Sequence, residues 1–143
     1  MAMQNWKSFL MPYEQAVEEL KVKLKSIRKE YRKRNEYSPI EFVTGRVKEV
    51  SSLLEKANKF GIPLDRVGHE MEDIAGIRIM CQFVDDIDTV IELLRARRDM
   101  QILYEKDYVR NVKQSGYRSY HMIIEVPVYF SDSKKQIRVE VQI

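Results

Sequence analysis

Residues 135–143, KQIRVEVQI, alternate without a break: Ile137, Val139, Val141 and Ile143 fall on one side, and Gln136, Arg138, Glu140 and Gln142 on the other. A period of two marks a strand with one apolar and one polar face. Upstream, residues 131–134 predict a turn, 119–129 a second strand, the polar stretch RNVKQSGYR (110–118) a loop, and 101–109 a third strand. Residues 74–84, IAGIRIMCQFV, predict a central strand. A helix carrying Ile87, Val90, Ile91 and Leu94 follows, with Asp85 or Asp86 placed to cap it. Ile40 to Val47 reads as a short strand interrupted by Gly45. A helix then runs to Phe60, with Gly61 as its stop, and residues 61–72 read as a loop or short helical turn. At the start of the chain, Trp6, Phe9, Leu10, Tyr13, Val17, Leu20, Leu24, Ile27 and Tyr31 step by three or four. That is one amphipathic helix over roughly residues 4–33, ended by the Asn35–Pro39 segment. The class is α+β, a mixed sheet of about four or five strands with helices mostly on one face.

The chain has 143 residues, 44% hydrophobic and 33% charged, which suits a single domain and excludes a disordered one. One cysteine, Cys81, excludes a disulfide framework and a CxxC zinc site. No apolar run approaches a membrane span, and the first 15 residues contain no signal-peptide core, so a reducing, cytoplasmic setting is expected. His69 is followed by Glu and His121 by Met, so neither HExxH nor a His-Asp pair is present. P-loop, GxGxxG and GxSxG patterns are absent as well. The net charge is only +3, but residues 21–34 hold eight basic residues and one acid. Such a stretch attracts phosphate, or it is simply a solvated helix face.

Three constellations have the residue types for phosphate chemistry. Arg46 and Lys48 share a side of an extended segment, and Ser52, Lys56 and Lys59 share a helix face opposite Val50, Leu53, Leu54, Ala57 and Phe60. A polyphosphate there would meet cations, a hydroxyl and a helix N-terminus. The same spacing fits an ordinary amphipathic helix. Asp73 lies at the mouth of the central strand and Arg78 within it. Asp73 and Glu140 could share a hard divalent cation, or Arg78 and Glu140 could form a cross-strand ion pair. In SGYRSYH (115–121), Tyr117 beside Lys113 and Arg118 could stack on a base or merely pack the loop.

Four segments, EFVTGRVKEVSSLLEKA, EDIAGIRIMCQF, SGYRSYH and VEVQI, together resemble, in order and spacing, the RelA/SpoT-type alarmone synthetases, specifically the small stand-alone ones. The resemblance implies a nucleotidyltransferase-like sheet of about five strands, forming a catalytic core over about 38–143. It implies a GTP/GDP pyrophosphokinase, which transfers the β,γ-pyrophosphate of ATP to the 3′-hydroxyl of GTP or GDP and yields AMP and pppGpp or ppGpp. By the family pattern, Arg46 and Arg78 would hold adenine, and Lys48, Ser52, Lys56 and Lys59 the ATP phosphates. Asp73 and Glu140 would bind magnesium, with Glu140 also accepting the 3′-hydroxyl proton. Tyr117 would stack on guanine, with Lys106, Lys113, His121 and Gln142 around the acceptor nucleotide.

The resemblance further implies a homotetramer with an alarmone activator site between subunits, made here of Lys21, Lys25, Glu41, Phe42 and Thr44. It implies synthesis without hydrolysis. Family members continue beyond VQI into C-terminal helices. This sequence stops at Ile143, so the long helical stripe is expected to be covered only in part by its own sheet. Two rival readings are a module for single-stranded RNA and a catalytically inactive nucleotide-binding regulator.

Overall fold

The computed structural model describes residues 5–110 and 118–143. Helix α1 (Trp6–Lys33) opens on Asn5, whose side chain accepts from the Ser8 N–H. It closes where Asn35 adopts a left-handed φ of 55° and the Glu36 N–H reaches back to the Tyr31 carbonyl. Strand β1 (Phe42–Val47), helix α2 (Val50–Phe60), a 3-10 turn (Leu64–Arg66), the short α3 (Val67–Glu70) and β2 (Ala75–Met80) follow. Helix α4 (Val84–Arg95) and strands β3 (Gln101–Asp107), β4 (Tyr120–Tyr129) and β5 (Lys134–Gln142) complete the order. The five strands run β1-β2-β5-β4-β3, with β2 and β5 parallel and the other neighbours antiparallel.

One face of the sheet carries the core. Val43, Ile77, Ile79, Met122, Ile124, Val139 and Val141 are buried there under Leu10, Val17, Leu20, Leu24 and Ile27 of α1. The alternation read in β5 is therefore real. The stripe on α1 is covered more fully than expected: Leu10 to Ile27 is buried within the chain, and only the ends at Trp6, Phe9 and Tyr31 are half-buried.

Other details differ from the sequence expectation. Strand β1 begins at Phe42 and runs straight through Gly45, which pairs with Ile77. The glycine is there for close approach. A Cβ at position 45 would stand 2.6 Å from Val17 Cγ1 and 2.9 Å from Ile77 Cδ1, where α1 crosses the strand. Gly45→Ala is therefore expected to cost about 1–3 kcal/mol of overpacking, against about 0.4–1 kcal/mol recovered from a stiffer unfolded chain. The melting temperature should fall by several degrees, as thermal unfolding would show. The N-cap of α4 is Phe83, not Asp85 or Asp86; Asp86 instead sits in the first turn and accepts from the Phe83 N–H at 3.1 Å. On α2 only Leu53 and Ala57 are fully buried. Leu54 and Phe60 are exposed, with no element among the described residues covering that side of the helix.

Candidate active site

The face of the sheet opposite α1 is polar, and strand register orders it into two rows. One row reads Arg46, Gly76, Glu140, Ile123 and Tyr104 across all five strands; the next reads Thr44, Arg78, Gln142, His121 and Lys106. Directly paired residues point to the same face, so residues scattered over about a hundred positions of sequence become neighbours. Gly76 places no side chain between Arg46 and Glu140. A cleft of about 330 Å³ opens there, lined by Thr44, Arg46, Asp73, Gly76, Arg78, Glu140 and Gln142 among others.

Asp73 enters this cleft from the segment between α3 and β2. Its two carboxylate oxygens are held by Lys48 Nζ at 2.6 Å and Lys56 Nζ at 2.8 Å. Lys48 is positioned by its own N–H, which donates to the Ile74 carbonyl at 2.8 Å, and Lys56 by one turn and a half of α2. Partial burial by itself would raise the Asp73 carboxyl, but the hydrogen bonds and charges of the two lysines outweigh it and hold the group below its usual value. A carboxyl lowered in the folded state adds stability above its unfolded pKa, near 4, and loses it as pH falls through the folded value. The acid limb of the unfolding curve should therefore be shallower in Asp73→Asn than in the native chain. Superimposable acid limbs would mean the lysines do not hold this carboxylate in solution.

Arg78 and Glu140 are not directly paired, contrary to the simpler cross-strand expectation. Gln142 lies between them: Arg78 Nη2 donates to Gln142 Oε1 at 3.2 Å, and Gln142 Nε2 donates to Glu140 Oε1 at 2.8 Å. The register explains this, since Arg78 faces Gln142 while Glu140 faces Gly76. His121 stands beside Gln142 with its ring edge-on to Tyr108 at 5.2 Å, and Lys106 Nζ lies 5.8 Å from the centre of the Tyr104 ring. Ser52 is half-buried on α2. Lys59 turns away to exposed surface, its ammonium 5.5 Å from the Phe60 ring centre, and does not share Asp73 with Lys56. Lys113 and Tyr117 lie outside the described residues.

The residues named for an activator lie on both faces of edge strand β1. Lys21 packs against Gly45 on the helix side of β1, and Lys25 follows one turn later. Phe42 and Thr44 point to the opposite side of the same edge strand, and Glu41 precedes it, its N–H donating to the Met80 carbonyl.

The donor set at Asp73 and Glu140 fits a hard cation, since both ligands are carboxylates. Among the described residues no group of three or more His, Cys, Asp or Glu side chains could hold a metal alone. An ion here would take its remaining ligands from substrate phosphates and water, as magnesium commonly does. Sequence reasoning missed Glu72, Tyr104 and Arg138 at this site. A second cleft of about 400 Å³ adjoins the first across Asp73 and Glu140 and is lined by Glu72, Tyr104 and Ile123 among others. The Tyr104 hydroxyl donates to Glu72 Oε1 at 2.6 Å, and that bond is the main reason it is pushed up to about 12. Arg138, on the same face as Glu140, donates to the carbonyls of Gly68 and His69 at 3.2 and 2.7 Å.

Two carboxylates, Asp73 and Glu140, and four cations, Arg46, Arg78, Lys48 and Lys56, thus line or wall one glycine-floored cleft. Residues 45–143 match the family described as "Region found in RelA / SpoT proteins". The chain is 55% identical over 139 residues to GTP pyrophosphokinase YjbM of Bacillus subtilis, spanning 97% of this chain and 65% of that protein. It is 36% identical to GTP pyrophosphokinase YwaC of the same organism, over 99% of this chain and 68% of that one. Among solved structures, small alarmone synthetase 1 from Bacillus subtilis bound to its product pppGpp superimposes with a TM-score of 0.90 at 55% identity, covering 96% of this chain and 71% of that one. A GTP pyrophosphokinase family protein from Streptococcus pneumoniae gives a TM-score of 0.93 at 50% identity, covering 99% and 70%. This chain belongs to the RelA/SpoT family. It spans just under two thirds of the length of YjbM.

Proposed function

We propose that the protein is a GTP/GDP pyrophosphokinase. The observation that carries the reading is the register that sets Arg46, Arg78, Glu140 and Gln142 around one cleft, with Asp73 entering it beside Lys48 and Lys56. The 3′-oxygen of GTP or GDP attacks the β-phosphorus of ATP, the bond from the α,β-bridging oxygen to that phosphorus breaks, and AMP leaves. The hydroxyl proton passes to Glu140, which stands at the centre of its row with one oxygen steadied by Gln142. Such transfers depend on alignment and charge neutralisation more than on covalent catalysis. Arg46 and Arg78 supply flat cations to sandwich adenine over Gly76. Lys48 and Lys56 exchange Asp73 for the ATP phosphates, and Ser52 adds a hydroxyl. Lys106, His121 and Gln142 face the acceptor nucleotide. Magnesium, held by Asp73 and Glu140, would neutralise charge on the transferring group.

Lys59, exposed further along the same helix, adds another cation for the ATP phosphates. The separation of Lys21 and Lys25 from Phe42 and Thr44 across β1 suits an activator site that two copies complete, in keeping with a homotetramer. No helix among the described residues is long and apolar enough to cross a membrane. We place the enzyme in the cytoplasm, with its nucleotide substrates. The paired carboxylates disfavour the single-stranded RNA reading, because they would repel a phosphate backbone. Incubation with ATP, GTP and magnesium, followed by nucleotide chromatography, should show AMP and pppGpp appearing in equal amounts. ADP with inorganic phosphate, or no turnover, would overturn the assignment.

A further inference from the structure

The segment that delivers Asp73 is anchored in two different ways. Met71 and Ile74 are 2% and 1% exposed and fix its ends in the core. Between them, Glu72 and Asp73 are both turned toward the polar clefts. Among the described residues, the side chains that hold the Asp73 carboxylate are Lys48 and Lys56, the cations that the proposed reaction needs for ATP phosphates. When those lysines move to phosphate, the carboxylate loses both of its present partners while it is required to stay opposite Glu140.

Other groups remain to hold the segment. Strand β2 pairs with β5 from Glu140 onward, and α3 lies beside the preceding part of β5. There Arg138 donates to the Gly68 and His69 carbonyls, with Nη1 3.9 Å from Glu72 Oε2. From the far side of the cleft, Tyr104 donates to Glu72 Oε1 at 2.6 Å. Arg138 is two residues from Glu140 on the same face of one strand, and Tyr104 is in the Glu140 row. Both therefore measure the position of the Asp73 segment directly from the strands that fix Glu140. Tyr104 is 40% exposed on an edge strand, so its hydrogen bond adds little to overall stability.

We propose that Arg138 and Tyr104 are positioning residues that hold Asp73 at its working distance from Glu140 after substrate has drawn Lys48 and Lys56 away. The inference rests on the reading of Asp73 and Glu140 as a magnesium pair. A group that orients a metal ligand typically changes metal affinity by ten- to a hundredfold when removed. Each partner here is one of two, so a smaller effect is expected.

The test titrates magnesium into the full chain with a non-hydrolysable ATP analogue, by calorimetry. Analogue affinity is also measured in EDTA. Arg138→Lys, which keeps charge but has one nitrogen in place of the Nη2 that holds both carbonyls and the Nη1 that faces Glu72, and Tyr104→Phe, which removes one O–H, should each raise half-saturating magnesium roughly three- to tenfold. Affinity in EDTA should stay at the native value, since Arg46, Arg78, Lys48 and Lys56 are untouched. Tyr104→Phe combined with Glu72→Gln should be no worse than Tyr104→Phe alone. If Arg138→Lys does not fold, Tyr104→Phe carries the test by itself. Unchanged magnesium dependence in the folded variants overturns the proposal, as does an equal loss of metal-free and metal-dependent binding. Asp73→Asn is the reference. If it too leaves magnesium dependence unchanged, the metal-pair reading has failed; if it alone raises it, only the positioning role has.

Discussion

Glu140→Gln should reduce turnover at least about a hundredfold, the scale on which a general base contributes, while leaving the ATP analogue bound. The substitution keeps the shape of the side chain and an oxygen for Gln142 Nε2, which now donates to Glu140 Oε1 at 2.8 Å. It removes the negative charge, and with it both the proposed acceptor for the 3′-hydroxyl proton and one of the two carboxylates suited to magnesium. Arg46 and Arg78 are on neighbouring strands, and Lys48 and Lys56 reach the cleft from outside the sheet register, so none depends on Glu140 for its position. Turnover is read by chromatography and affinity by calorimetry. A variant that turns over at the native rate would make Glu140 a structural carboxylate and remove the base from the mechanism. One that loses nucleotide binding in EDTA as well would show that the side chain holds the cleft open.

How far this site could be read from the chain depended on whether its order is local. Alternation in β5 was visible because its two faces meet opposite environments, α1 on one side and an open cleft on the other. Lys56 was visible through helical spacing. The same spacing places Lys59 on that face, but periodicity does not say which cation meets Asp73: Lys56 does, and the Lys59 ammonium lies 5.5 Å from the Phe60 ring centre. Gly45 reads as an interruption in the sequence, since a glycine in a strand marks either a break or a close approach and only the position of Val17 decides between them. The Asp85 or Asp86 cap missed by two or three positions because an aspartate in the first turn can serve the helix start by reaching back to the preceding N–H. The Arg138 and Tyr104 contacts carried no sequence signal. Arg138 binds backbone carbonyls about 70 residues away, and Tyr104 binds a glutamate 32 residues away. Neither distance has a periodicity. An arginine on the wet face of a strand otherwise looks like any solvated cation.

Arg78→Ala should lower kcat/KM for ATP roughly ten- to a hundredfold, mostly through KM. Stacking of a base on a flat partner contributes about 1–3 kcal/mol, and a guanidinium adds cation–π attraction to it. The side chain is exposed in the free protein and makes one hydrogen bond, to Gln142 Oε1 at 3.2 Å, so its loss costs the fold little. Gln142 keeps its hold on Glu140 through Nε2, which is why kcat should fall less than KM rises. Arg78→Lys separates charge from shape. It restores a cation in mid-strand but not a plane, and the stacking account requires it to remain close to Arg78→Ala when ATP is varied at saturating GTP. If Arg78→Lys instead regains the native KM for ATP, then charge alone is what the cleft needs at this position, and the nucleotide base must be held elsewhere than between Arg46 and Arg78.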